Sequence, residues 1–175
     1  MVSVRTKASA PPVFVVIDAG PMIALTVAGL LPIALLHLGT LMVPEAVMHE
    51  CISNLSEPGA QTIRDVLKNP AITVIPEAEI ANLDPAYAQG LGGGEQAVLA
   101  YAMQHDYIAL VDDKRARRTA LRLGIKTVRT GALLLVLKST GRIASIKPTL
   151  QIWRDHGYFL SDSVSNQLLT NASED

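Results

Sequence analysis

The sequence predicts an α/β domain, a three-layer sandwich in which helices cover both faces of a central parallel sheet of about five strands. Three observations predict it. Short apolar runs rich in β-branched residues recur along the chain without the polar alternation of a half-exposed strand. Helical stretches opened by Pro and closed by Gly lie between them. The connections are short, and strands that alternate with helices over short connections pair in parallel. The composition agrees. Of 175 residues, 49% are hydrophobic and only 18% charged, enough for one domain with a full core and too apolar for a disordered chain.

Residues 1–12 (MVSVRTKASAPP) read as a flexible N-terminal tail and 171–175 as a C-terminal tail, leaving 13–170 as a single domain. Val13–Ile17 is the first strand. Pro21 opens a helix to about Gly29, and Pro32 opens another to about Leu38, since a missing N–H costs nothing in a first turn. Leu41–Val43 is the second strand, and Pro44 starts a helix through Cys51. Glu57-Pro58 starts a further helix to Lys68, before a third strand at Ile72–Ile75. Pro76–Gln89 reads as a connector ending in Gly90–Gly94, which leads into a helix over Glu95–Gln104. A fourth strand at Ile108–Val111 precedes a helix over Asp113–Leu123, closed by Gly124. Lys126–Val128 is the fifth strand, with helices near 131–139, 148–156 and 162–170 and stops at Gly141 and Gly157.

Residues 19–36 carry no charge and are long enough to raise the question of a membrane span. Asp18 stands at the edge of the run, and Gly20-Pro21 and Gly29…Pro32 cut it into pieces of about two turns. Asp18 would also interrupt the apolar region of any signal peptide. The expectation is a soluble, cytoplasmic protein with no membrane partner. Cys51 is the only cysteine, so no disulfide framework or zinc knuckle forms within the chain. Fifteen Lys and Arg against sixteen Asp and Glu exclude a globally basic nucleic-acid coat protein, though not a local basic patch.

In an open parallel sheet, sites form beyond the carboxyl ends of the strands, near the point where the strand order reverses. Asp18 stands directly after the first strand, and Asp112 and Asp113 directly after the fourth. Two helices add single acids in apolar company. Glu50 shares a face with Val47, which turns it toward the sheet, and Glu95 starts its helix at the positive end of the dipole. One like-charged pair at 4 Å costs on the order of 4 kcal/mol at an effective dielectric of 20, so such a cluster takes up protons or a hard cation. Carboxylate oxygens alone, without Cys or a His set, suit Mg²⁺ or Mn²⁺, and the chemistry implied is phosphodiester hydrolysis.

Each acid also has a plain structural use. Asp18 can cap a helix, one of Asp112 and Asp113 can serve only as an N-cap, with Asp112 favoured as the ligand, and Glu50 and Glu95 can be surface acids. Glu45, Asp65 and Asp106 read as solvated. Gly90–Gly94 fails the phosphate-loop pattern because Glu occupies position 95 and no loop Lys follows. The four His show no ligand spacing, Cys51 reads as core, and Trp153 as core or an interface. The basic segment says more. Between Asp112 and Arg129 stand seven Lys or Arg against two Asp, and Arg115, Arg118 and Arg122 fall at i, i+3 and i+7 on one helical face. With Lys114 they form a candidate nucleic-acid-binding track beside the acids. No aromatic residues interleave it, so reading of bases by stacking is not expected.

The blocks VVIDAGPMIAL, VPEAVMHEC, GLGGGEQAVLAYA, LVDDKRARRTALRLGIKTVRTGALLLVLKSTGRI and KPTLQIWRDHGYFLSDSVSNQLL together resemble, in order, those of the PIN-domain family. They lie close to its VapC-type toxin ribonucleases, in the branch with a late Asp-Asp pair, and the resemblance spans about residues 13–170. It implies strand order 3-2-1-4-5 and a metal-dependent endoribonuclease, the toxin of a toxin–antitoxin pair. The implied catalytic acids are Asp18, Glu50, Glu95 and Asp112, with Asp113 as an addition. Asp18, Glu95 and Asp112 are implied to hold Mg²⁺, or Mn²⁺ in its place. The implied partners are RNA and a cognate antitoxin, with a homodimer left open. The chain departs from the family where a hydroxyl pair usually follows the first Asp, because it carries Ala19-Gly20 there. That departure is the ground for an alternative, a non-catalytic PIN-fold module that binds RNA or protein. A receiver-like or phosphatase-like domain is a third reading, disfavoured because no D-x-D follows the first strand.

Overall fold

The computed structural model describes residues 13–53, 56, 59–158 and 160–174. The expected N-terminal tail and the Glu57-Pro58 helix start lie outside them. Five strands form one all-parallel sheet in the order β3-β2-β1-β4-β5: β1 Phe14–Ile17, β2 Thr40–Pro44, β3 Ile72–Ile75, β4 Ile108–Leu110 and β5 Thr127–Val128. The expected fold class and strand order are both borne out. The central strand shows why both faces must be covered. Val15, Val16 and Ile17 are consecutive, so they point to opposite faces, yet each is at most 1% exposed. Burial of each contributes roughly 1.5–3 kcal/mol relative to exposure in water.

The sheet order reverses between β1 and β4. The chain steps from β1 outward through β2 to β3, then returns to the other side of β1 for β4 and β5. Ile17 pairs with Leu110, and the Asp18 N–H donates to the Leu110 carbonyl at 3.1 Å, carrying the ladder one residue past β1. Asp18 and the residues after Leu110 thus emerge side by side at the reversal point.

The helices are α1 Ala19–Val27, α2 Leu31–Leu38, α3 Glu45–Ile52, α4 Ala60–Val66, α5 Pro85–Ala88, α6 Gly93–His105, α7 Lys114–Arg122, α8 Thr130–Ser139, α9 Lys147–Asp155 and α10 Asp162–Asn171. Two helices start two residues earlier than expected. α1 begins at Ala19 with Asp18 in the N-cap position, so Pro21 falls third, still inside the turn whose N–H groups have no helical partner. α6 begins at Gly93, two residues before Glu95, although two glycines weaken a first turn. The segment 76–89 is not bare connector: it holds a 3₁₀ turn at Glu77–Glu79 and α5, whose N-cap Asp84 accepts from the Ala86 N–H at 2.8 Å.

The apolar run 19–36 folds as α1 and α2 around Gly29, and among the described residues no helix is long and apolar enough to cross a membrane. The segment expected as a C-terminal tail is tied down as far as it is described. α10 runs to Asn171, and Glu174 pairs with Lys138 at 2.6 Å and accepts from the Ser145 hydroxyl at 2.5 Å and the Ile146 N–H at 2.9 Å.

Candidate active site

Asp18 is the centre of the acid group. It is 8% exposed, and its carboxyl is pushed up to about 6, first by burial and then by the charges of Glu95, Glu50 and Asp112, with the Ala19 N–H opposing. The four acids expected at the reversal point therefore act on one another. Among the described residues, none of them forms an ion pair with Lys, Arg or His.

Each remaining acid has a separate anchor. Glu50 is exposed on α3 rather than turned into the sheet, and its Oε1 accepts from the Gly94 N–H at 3.1 Å, at the start of α6. A Cβ at position 94 would lie 2.7 Å from that oxygen, so the glycine makes room for the carboxylate at the positive end of the helix. Glu95 accepts from the Gly92 N–H at 2.7 Å, the acidic half of a capping box. Burial raises its carboxyl, as do Asp113 and Glu50, while the Gly92 N–H and Arg115 oppose. Asp113 caps α7, accepting from the N–H groups of Arg115 at 2.7 Å and Ala116 at 2.8 Å. Of the two adjacent acids, Asp113 has the capping role, and Asp112 is one of the acids whose charge raises Asp18.

Asp112 is held most completely. Its Oδ1 accepts from the Thr130 N–H at 2.9 Å, and its Oδ2 from the Thr130 hydroxyl at 2.5 Å and from the Tyr158 hydroxyl. Burial, followed by the charge of Asp112, keeps the Tyr158 phenol above its ordinary range and therefore a donor. Neither Thr130 nor Tyr158 was singled out from sequence. Thr130 could have been found as the first residue of a helix following a strand on the acid side of the sheet. Gly157 is legible as a helix stop that turns Tyr158 back on Trp153, but no sequence signal links position 158 to position 112.

Beside Glu95 lies a cleft of about 360 Å³ lined by Gly90, Glu95, Asp113, Lys114, Arg115 and Arg118. It brings two of the acids, Glu95 and Asp113, into the same hollow as three cations. Arg115 also donates to the Gly90 carbonyl at 2.8 Å. Arg122 does not join them, because its guanidinium stacks on the Tyr87 ring, 4.8 Å from the centroid. The buried Cys51 thiol is pushed up to about 12 by burial, Glu50 and Asp18, which leaves it inert.

The donor set consists of carboxylate oxygens, the chemistry of a hard divalent cation, and the raised carboxyl of Asp18 is the kind that such a cation relieves. The side chains do not yet form a cage. Among the described residues no three His, Cys, Asp or Glu converge closely enough to enclose an ion, because Glu50, Glu95 and Asp112 are each turned onto hydrogen-bond donors.

No curated protein matches the chain. A family model, DUF3368, described as a PIN domain, matches residues 14–174, nearly the whole chain and every element of the sheet. PIN domains are commonly nucleases, and the crevice lies where their fold brings β1 and β4 together. The chain belongs to the PIN-domain family.

Proposed function

We propose that this protein is a metal-dependent endoribonuclease that hydrolyses RNA phosphodiesters, the toxin half of a toxin–antitoxin pair. The observation that carries the proposal is the Asp18 crevice. A buried carboxyl there, raised to about 6 by its surroundings, has three more acids acting on it, and one of them, Glu95, lines a cationic cleft. Asp18, Glu95 and Asp112 are the proposed ligands of Mg²⁺ or Mn²⁺. A divalent ion held there would polarise a phosphoryl oxygen and lower the pKa of water. Glu95 would exchange its Gly92 contact for the ion, and Asp112 has lone-pair capacity left beyond its three donors. Glu50, fixed on α6, would orient water, with Asp113 shaping the rim. Lys114, Arg115 and Arg118 would hold phosphates on either side of the cut, fixing position without reading sequence. An antitoxin would cover this same cationic rim.

One observation favours a second reading, a PIN-fold module that binds RNA or protein without cutting. Ala19-Gly20 offers no hydroxyl beside Asp18, and the acids are anchored apart. One assay separates the two. Purified protein is incubated with single-stranded RNA of mixed sequence in Mg²⁺ or Mn²⁺, with and without EDTA. The proposal expects internal cleavage that EDTA abolishes and added metal restores. RNA binding without cleavage in either metal selects the module.

A further inference from the structure

We infer that Tyr158 is a positioning residue for Asp112, its hydroxyl fixing the orientation of the carboxylate that follows β4 from a seat against Gly20 of α1. This rests on the reading of Asp112 as part of the site. Four observations place the ring. The Gly157 N–H donates to the Arg154 carbonyl at 3.2 Å and the Tyr158 N–H to the Trp153 carbonyl at 2.8 Å, with Gly157 at φ +75. That pair of bonds is the Schellman closure of a helix, and it folds Tyr158 back over the last turn of α9. The Tyr158 ring packs on Trp153 with centroids 5.2 Å apart, the apolar contact that accompanies such a closure. Trp153, 1% exposed, is itself pinned by a 2.8 Å bond from its indole N–H to the Ala24 carbonyl of α1.

The fourth observation is space. A Cβ at Gly20 would lie 4.0 Å from Tyr158 Cε2, an ordinary van der Waals distance, so the ring rests against α1 beside position 20. From this seat the hydroxyl reaches Asp112 Oδ2, the oxygen also bonded by the Thr130 hydroxyl. Thr130 alone could fix the carboxylate from the α8 side. Tyr158 donates from the side of α1 and α9, and the two hydroxyls together leave the free lone-pair capacity chiefly on Oδ1. Hydrogen bonds of this kind orient a ligand's carboxylate and commonly change metal affinity or rate by about 10–100-fold when removed.

Tyr158→Phe keeps the ring on Trp153 and Gly20 and removes only the hydroxyl. Two readouts are taken: Mn²⁺ affinity by calorimetric titration, and kcat and KM for RNA cleavage. The expected result is Mn²⁺ binding weakened about tenfold or more and a similar fall in kcat. KM for RNA and the thermal midpoint should hardly change. In an Asp112→Asn background the same Tyr158→Phe change should have no further effect on either readout, because Tyr158 acts through that carboxylate. Equal losses in both backgrounds, or unchanged Mn²⁺ affinity and kcat in the single variant while Asp112→Asn abolishes them, would overturn the inference and leave Asp112 in the site. Asp112→Asn with full metal binding and cleavage would overturn the reading of Asp112 itself, and the role of Tyr158 with it.

Discussion

Asp18 and Glu174 are both largely covered carboxylates, one at the carboxyl end of β1 and the other just past α10, and their surroundings push them in opposite directions. Glu174 has an ammonium 2.6 Å away on Lys138, the Ser145 hydroxyl, and the N–H groups of Ile146 and Lys147 at the start of α9. The Lys138 bond first, and then the Ser145 hydroxyl, lower its carboxyl to about 2. Asp18 has no such cation and three acids acting on it, and its carboxyl rises to about 6. The first arrangement fastens a helix. The second is unfavourable for folding at neutral pH, and carboxyls perturbed in this way cluster at functional sites. α9 joins the two. Glu174 holds its N-terminus, and its C-terminal turn presents Tyr158 to Asp112.

The sharpest way to break this comparison is Asp18→Asn. Replacing a buried carboxylate by its neutral isostere should reduce cleavage at least about 100-fold if Asp18 is a ligand. In metal-free buffer the same change should raise stability at pH 7–8 by up to about 3 kcal/mol, the equivalent of a shift from 3.8 to about 6. The sign follows from linkage. The native state binds the Asp18 proton more tightly than the unfolded chain, so stability is lost as pH rises from about 4 to 6 and stays lower above that. Denaturation of metal-free wild type followed from pH 7 to pH 4 should show a gain that Asp18→Asn lacks, and added Mg²⁺ should stabilise only the wild type. A variant less stable than wild type at pH 7.5 would make Asp18 a structural cap.

Glu174→Gln should act the other way. Its lowered carboxyl contributes stability above about 4.5 that is lost as pH falls toward 2. The variant should therefore have a lower denaturation midpoint at pH 7 and a shallower loss on the acid side, with Mg²⁺ leaving the difference unchanged. A midpoint equal to wild type at neutral pH would show the clamp to be incidental.

How much of this was legible in the sequence depends on range. The parallel sheet and the places of Asp18 and Asp112 just past their strands follow from apolar runs and short connections, which are local and periodic signals. The capping role of Asp113 was legible for the same reason. The strand order was implied by the family resemblance and not by those signals. What escaped depended on distant close approach. Gly94 is glycine because Glu50, 44 residues earlier, needs its space and its N–H. Tyr158 meets Asp112 across 46 residues, through a turn whose own chemistry concerns only α9. Arg122 sits on the correct face by helical spacing, yet a ring from another helix occupies it. That the acids do not close into a cage among the described residues has a related reason, since spacing places carboxylates on one crevice but does not show that backbone N–H groups there hold Glu50, Glu95 and Asp112.

The smallest expected effect concerns the cations that the crevice does possess. Lys138 neutralises Glu174 directly, whereas Arg115 and Arg118 line the cleft beside Glu95, and neither takes part in an ion pair among the described residues. If they serve a polyanion rather than the fold, changing both to Ala should leave the thermal midpoint nearly unmoved. Turnover at saturating RNA should fall little, because the acids are untouched. The slope of log binding constant against log salt should flatten, because each phosphate contact on a single strand contributes about 0.7 to it. Two lost contacts would remove roughly 1.4, about equally across RNA sequences, since phosphate contacts carry no base information. Arg122→Ala, which removes the cation stacked on Tyr87, should leave the slope close to wild type. Parallel salt lines for wild type and the Arg115/Arg118 double variant would make these arginines an ordinary solvated helix face, and the contrast with Lys138 would then be one of exposure alone.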